Sequence, residues 1–279
     1  RSTGHKSGMD VAEVQPMKLA AMEALYNGGT DQGLTAIAWV NPFEQPDYQN
    51  EKEAPLKLDI PFGLSIMATN DPHGFVPGIN DILNGYTTPD GKVEPSIDEK
   101  IERGKKAIEA LAIYRQAKFN SSDDGSTAAY QLGILKENMP YFGYGYIKDK
   151  NDVVPYIPIN FWAFRIMVGL GCLFILFFAV VLFMSYKKDV TKLKNWHYWT
   201  AIILIPLGYI GSECGWLVAE FGRQPWTIQD MLPTWAAVSD LQSSSVAITF
   251  FLFLILFTTM LAVEINILLK QIKKGPDKE

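Results

Sequence analysis

Three apolar runs, 161–186, 198–221 and 246–269, fill most of the second half of this 279-residue chain. At about 1.5 Å per residue, each is long enough to cross a hydrocarbon core about 30 Å thick. Backbone polar groups in hydrocarbon have to be satisfied within their own segment or in a closed barrel, so uninterrupted runs of this length read as helices. Residues 1–160 are of another kind, polar and rich in Asp, Glu, Gly and Pro. The expected architecture is an all-α integral membrane protein. Three transmembrane helices (160–186, 197–221 and 243–270) are preceded by a long mixed loop and helix region over 1–159.

Lysines set the expected orientation. Lys187, Lys188, Lys192 and Lys194 follow the first run, and Lys270, Lys273 and Lys274 close the third. Basic residues beside membrane spans stay on the cytoplasmic side, so both clusters, and the C-terminus, are expected inside. Residues 1–159 and the segment after the second run then lie outside the cytoplasm. On this topology Trp162, Trp216, Trp226 and Trp235 fall in the outer interfacial belt, and Trp196 and Trp199 in the inner one. The formal charge of -5 gives no reason to expect a nucleic-acid partner. Cys172 and Cys214 both lie inside apolar runs and read as small buried hydrophobes, with no disulfide framework or cysteine metal site. The first residues lack the charged and apolar regions of a signal peptide, so the chain is expected to begin midway through a longer protein.

Within the polar half, 9–26 reads as a short helix starting near Pro16 and ended by Gly28-Gly29. Met17, Ala20, Ala21 and Ala24 could form a docking stripe, although the pattern alone favours a solvated surface helix. Lys18 and Glu23 lie off the stripe, five apart, which is not the spacing of a direct helical ion pair. Segments 35–43 and 56–68 read as extended. A helix over 97–118 is expected to bury Ile101, Ile108, Leu111, Ala112 and the stem of Arg115. Tyr141, Phe142, Tyr144 and Tyr146, interleaved with glycines, suit packing against the bilayer surface or neighbouring helices.

The second apolar run carries ionisable groups where a membrane helix is normally all hydrocarbon, and such groups are expensive enough to suggest function. At about 100° per residue, Glu213, Trp216, Glu220 and Arg223 fall within about 80° of one another. That face could hold a cofactor or a proton path. Alternatively, it could be an internal ion-pair set in a ligand-binding membrane protein, or a proton relay in a transporter.

Residues 213–226, Glu-x-Gly-Trp-x-x-x-Glu-x-Gly-Arg-Gln-Pro-Trp, resemble the signature late in subunit I of cytochrome bd-type quinol oxidases. Val-Gln-Pro-Met-Lys-Leu-Ala-Ala-Met-Glu-Ala at 14–24 resembles the start of that family's quinol-binding loop, the Q-loop, and 58–69 is similar to a later part of it. Phe-Arg-Ile-Met at 164–167 resembles a third family element. The stretch Gly-His-Lys-Ser-Gly at 4–8 departs from the acidic start of the family's loop, so His5 takes no role from it.

The resemblance implies a quinol:oxygen oxidoreductase of the bacterial cytoplasmic (inner) membrane. Quinol would be oxidised outside and oxygen reduced to water, contributing to proton-motive force. It implies quinol binding or oxidation at Lys18 and Glu23, and 1–159 as the Q-loop region. Met167 would be an axial ligand of a low-spin haem b supported by Arg165, and Glu220 the ligand of a high-spin haem b. Trp216 and Arg223 would lie around the high-spin haem b and a haem d, or a further haem b in its place. Glu213 would serve a proton path or be a paired structural carboxylate. The implied partners are oxidase subunit II, a small single-helix subunit, membrane lipid, and the N-terminal part of the same subunit. That last part would hold the family's ligand histidines, because His5, His73 and His197 match no ligand motif. The expected extent is therefore the C-terminal half of the subunit.

Overall fold

Helix α1 (Ser7–Val14) and helix α2 (Pro16–Glu23) are separated only by Gln15, with Pro16 in the first turn of α2, where its missing N–H costs nothing. The computed structural model describes residues 7–119, 126–186 and 195–275. Helix α2 ends at Ala24, which takes the left-handed conformation (φ 47°) and returns its N–H to the carbonyls of Ala20 and Ala21. The expected stop at Gly28-Gly29 is thus four residues too late. Gly28 serves packing instead, since a Cβ there would come within 2.2 Å of the Val76 carbonyl oxygen. Its N–H also donates to Asp81 Oδ2 at 2.5 Å. Nor is α2 a solvated surface helix, since Met17, Leu19, Ala20, Ala21, Met22 and Glu23 are all buried.

The expected extended segments are shorter than their sequence pattern. Strand β1 (Leu34–Ile37) pairs antiparallel with β2 (Leu58–Ile60), with Thr35 opposite Asp59 and Ile37 opposite Leu58. Beyond Pro61 and Phe62 the chain turns helical as α3 (Gly63–Thr69), so 63–68 is helix rather than strand. Helix α4 (Ile79–Asn84) and the ribbon of β3 (Tyr86–Thr87) with β4 (Val93–Glu94) lead into α5 (Ile97–Phe119). Helix α5 follows the expected span, but it buries Ile97, Ile101, Gly104, Ala107 and Ala110 while Ala112 and Arg115 are exposed. The buried residues run from 97 by steps of three and four, and full burial ends at Ala110. Helix α6 (Ser126–Asn138) and a 3₁₀ segment (Met139–Tyr146) pack on α5, where Gly104 and Gly145 bring two backbones together.

Among the described residues, three helices are long and apolar enough to cross a membrane. Helix α7 (Ile157–Tyr186) and α8 (Asn195–Phe221) lie against each other along a stripe of small residues on α8. A Cβ at Gly208, Gly211 or Gly215 would meet Phe174, Leu170 or the Met167 sulfur at 3.9, 3.7 and 3.2 Å. Small residues let membrane helices approach where no hydrophobic force separates protein from lipid. Cys214 is buried, but Cys172 is exposed on α7, against expectation. After α8 a short ribbon of β5 (Trp226–Ile228) with β6 (Leu232–Pro233) folds under the 3₁₀ segment. There Tyr144 donates to Asp230 Oδ1 at 2.6 Å and meets the Trp226 ring edge-on.

The chain divides into two compact units, Arg1–Ala237 and Val238–Glu279. The second is a single long helix, α9 (Ser243–Lys274), apolar along its length and closed by Lys273 and Lys274. Of the residues used for orientation, Lys187, Lys188, Lys192 and Lys194 lie outside the described residues, as does His5.

Candidate functional site

Two turns of helix suffice to send Lys18 and Glu23 to different neighbours. Five residues at about 100° each separate them by about 140° around the axis of α2. Glu23, at the C-terminal end of α2, is only 1 % exposed. Its Oε2 accepts from the Thr35 N–H at 3.1 Å and from Arg165 Nη2 at 2.8 Å. Arg165 also donates to the Thr35 carbonyl at 2.7 Å and to the Met22 carbonyl, and its guanidinium lies 4.2 Å from the Phe161 ring centroid. One side chain near the start of α7 thus gathers the end of α2 and the first strand. Thr35 reinforces the joint, its hydroxyl donating to the Glu23 carbonyl at 3.3 Å.

This environment sets the electrostatics. Burial pushes the Glu23 carboxyl above its ordinary range, and Arg165 and the Thr35 N–H offset only part of the rise. Its other oxygen, Oε1, is buried with no hydrogen-bond partner among the described residues, and the same holds for Asp59 Oδ1 and Arg165 Nε. Buried polar atoms are nearly always partnered, so three such atoms at one joint mark a place where water, a proton or a ligand group fits.

Lys18 turns the other way, toward the end of α8. A Cβ at Gly222 would fall 2.7 Å from Lys18 Cγ and 2.9 Å from Asn160 Oδ1, so the absence of a side chain there lets Lys18 pass. Asn160 is fully buried and donates to the Tyr156 carbonyl at 2.8 Å, leaving its Oδ1 without a partner among the described residues. Burial first, then the Arg223 charge, lowers the Lys18 pKa, while Glu220 acts in the opposite sense. Lys18 lines a cavity of about 210 Å³ whose wall includes Gln15, Tyr144, Trp226 and Asp230. Glu23 does not line it, so the two expected quinol residues are not brought to one pocket.

On α8, Glu220 accepts from Arg223 Nη2 at 2.5 Å. The helix stops at Phe221, so Arg223 reaches Glu220 from the following turn. Glu213 and Trp216 are exposed on the membrane helix. Met167 lies over Gly215 in the seam between α7 and α8, two residues beyond Arg165. His73 sits on the surface against Asp31, and His197 lies at the opposite end of α8 from Glu220. Among the described residues no cluster of three His, Cys, Asp or Glu side chains could hold a metal ion.

Sequence reasoning passed over Thr35, Asp59 and Asn160. Thr35 and Asp59 carry no signal beyond their places in short strands. Asn160, a polar residue just before the first apolar run, could have been noticed.

The family model for cytochrome bd terminal oxidase subunit I matches residues 2–276. The chain belongs to that family. Among its relatives are the cytochrome bd-II ubiquinol oxidase subunit 1 of Escherichia coli, 31% identical over 98% of this chain and 51% of that protein. The cytochrome bd ubiquinol oxidase subunit 1 of Bacillus subtilis is 26% identical over 99% of this chain and 46% of the relative. The bd oxidase structure from Geobacillus thermodenitrificans shares the fold, with a TM-score of 0.55 at 22% identity, over 97% of this chain and 44% of that one. The chain spans about half the length of the curated relatives it matches. Cytochrome bd subunit I thus accounts for the three motifs, and the helix-rich membrane fold read from the sequence agrees with the related structure.

Proposed function

We propose that this chain forms the quinol-facing half of an oxidase subunit that couples oxidation of membrane quinol to reduction of oxygen to water. The observation that carries the reading is Arg165, which ties Glu23 to α7 two residues from Met167. A proton-accepting carboxylate and a soft iron ligand are thereby held on one rigid element. Residues 1–159 act as the extracytoplasmic Q-loop region in a bacterial inner membrane, and the C-terminus is cytoplasmic.

Quinol oxidation releases protons that a general base has to take. Glu23 suits that role, because its Oε1 is not engaged by Arg165 or Thr35 and its raised pKa brings it closer to working pH. Lys18 presents a cation at its cavity wall that steadies developing negative charge on a quinol oxygen. Because Glu23 lies outside that cavity, a proton released by quinol at Lys18 reaches it through bridging water.

The donor chemistry fits haem. Met167 offers a neutral thioether in the helix seam, suited to a low-spin haem b, and Glu220 a carboxylate for a high-spin haem b. Each would supply one ligand to its haem iron. Arg223, already on Glu220, balances that carboxylate or a propionate. Trp216 and Glu213 occupy the exposed face beside it, with haem d or a further haem b completing the set. Bound haem supplies the electron carriage and oxygen reduction that no side chain here provides. Oxidase subunit II and a small single-helix subunit are the partners that would complete the complex.

The test is a reduced-minus-oxidised visible spectrum of the detergent-purified intact complex, with quinol-dependent oxygen uptake measured alongside. Met167→Leu is expected to remove the low-spin signal selectively, and Glu220→Ala to disturb the high-spin signals. Glu23→Gln and Lys18→Met are expected to keep the spectra while losing turnover. An intact complex without haem signals would overturn the reading.

A further inference from the structure

The β1–β2 ribbon has its polarity inside out. Along 56–60 the side chains alternate as Leu, Lys, Leu, Asp, Ile. A two-residue period puts such alternate residues on opposite faces. In a water-facing ribbon the charges would point out. Here Lys57 and Asp59 turn inward and pair with each other at 3.0 Å. Leu56, Leu58 and Ile60 point outward, with Leu58 61 % and Ile60 53 % exposed. Across the ladder Thr35 is buried against Glu23, whereas Ile37, opposite Leu58, is 63 % exposed. A contiguous apolar surface is thus presented outward by a two-stranded element that hides its own charges.

The ribbon's attachment to α7 indicates what covers that surface. Trp162, in the second turn of α7, donates its indole N–H to the Val40 carbonyl at 2.9 Å. Its ring meets Trp39 edge-on, with centroids 6.3 Å apart. Trp39, just past β1, is largely exposed. Paired indoles at the start of a membrane-spanning helix mark the boundary between acyl chains and headgroups. The apolar ribbon face is continuous with that boundary, and an element with one apolar face and its charges withdrawn suits the plane of the interface.

We propose that the outer face of the β1–β2 ribbon is a lipid-contacting surface, seated in the outer-leaflet interface beside α7 with Ile37, Leu58 and Ile60 among the acyl chains. The ribbon thus lies in the membrane surface while its inner face covers the Glu23–Arg165 joint. The surface does not depend on the quinol reading, since any chain with α7 across a bilayer and this ribbon docked on it would present it.

The experiment uses the intact complex in phosphatidylethanolamine–phosphatidylglycerol vesicles, in a background whose reactive thiols, including Cys172, are replaced. Nitroxide labels go on Ile37→Cys, Leu58→Cys and Ile60→Cys, with Glu53→Cys as the water-exposed reference. Collision rates with oxygen and with a neutral water-soluble nickel chelate are read by power saturation. The expected result is oxygen exceeding nickel at 37, 58 and 60, with the order reversed at 53. Nickel exceeding oxygen at the three ribbon sites would overturn the proposal in favour of water. Low rates of both, with immobilised spectra, would overturn it in favour of cover by protein. Haem spectra and oxygen uptake of each labelled complex establish that it is assembled.

Discussion

Lys18 and Glu23 share one eight-residue helix yet meet different membrane helices. Glu23 is bound by Arg165 of α7, and Lys18 packs beside Gly222 at the end of α8. Helix α2 is therefore bonded to α7 through Glu23 and passes Gly222 with Lys18, and each contact can be altered by itself.

Removing one side of the Glu23–Arg165 pair is expected to cost more than removing both. Arg165→Leu strands a buried carboxylate, for which a cost of about 3–5 kcal/mol is typical. The double variant Glu23→Leu/Arg165→Leu should recover most of that loss. Protease cleavage rates within residues 7–60 of the assembled complex would measure it. Equal damage in the single and double variants would rule out the pair as the source.

The pH dependence follows from the raised pKa of Glu23. Its docked form holds a proton more tightly than its released form, whose carboxyl titrates near the ordinary 4.5. Docking is therefore strongest below that value, weakens as pH rises through the window up to the raised pKa, and is level above it. In Glu23→Gln this slope should vanish from loop proteolysis. In Arg165→Gln the loss of the offsetting cation lifts the Glu23 pKa further, so the acid limb of the turnover profile should move to higher pH. Movement to lower pH would mean that Glu23 is not the base.

Gly215 leaves room for the Met167 sulfur. A Cβ there would lie 3.2 Å from Sδ, tight for an alanine and an overlap for a branched side chain. Gly215→Ala is expected to shift the low-spin haem signal and Gly215→Val to abolish it, with a stability loss of about 1–3 kcal/mol from overpacking. The high-spin signals should persist, because Glu220 sits more than a turn away on α8. Visible difference spectra distinguish the two.

Gly222 makes similar room for Lys18. In Gly222→Ala the added carbon meets the Val218 carbonyl, Lys18 Cγ and Asn160 Oδ1, each within 3 Å. The expected outcome is a raised KM for quinol with haem spectra unchanged, as the Lys18 attachment loosens while Arg165 still holds Glu23. An unchanged KM would separate Lys18 from substrate binding.

Membrane helices are the most legible part of the chain, because length and hydropathy alone decide them. Helices α7 and α8 each extend three residues or so beyond the apolar runs that announce them. In the polar half, the span of α5 is readable from its period. The extended reading of 63–68 fails because periodicity does not separate a short apolar strand from a short helix. Helix α2 looks half-solvated because its eight residues carry few charges to mark an outer face, and tertiary packing buries nearly all of it. At the candidate site, the motifs name Lys18, Glu23, Arg165 and Met167 one at a time. The bond between Arg165 and Glu23, 142 positions apart, is invisible to any local pattern, whereas the spacing of five residues already separates Lys18 from Glu23 around α2.

Bonded to α7 through Glu23 and passing the end of α8 with Lys18, α2 lies like a caliper across the ends of both helices. Its two contact points are a fixed number of residues apart on a rigid rod. A change in the gap between the helices cannot be absorbed by both contacts at once, so it reaches the Glu23 carboxylate as slack or as pressure. Repacking deep in the seam, at Gly208 or Gly211, is thereby felt by the residue proposed to take the proton.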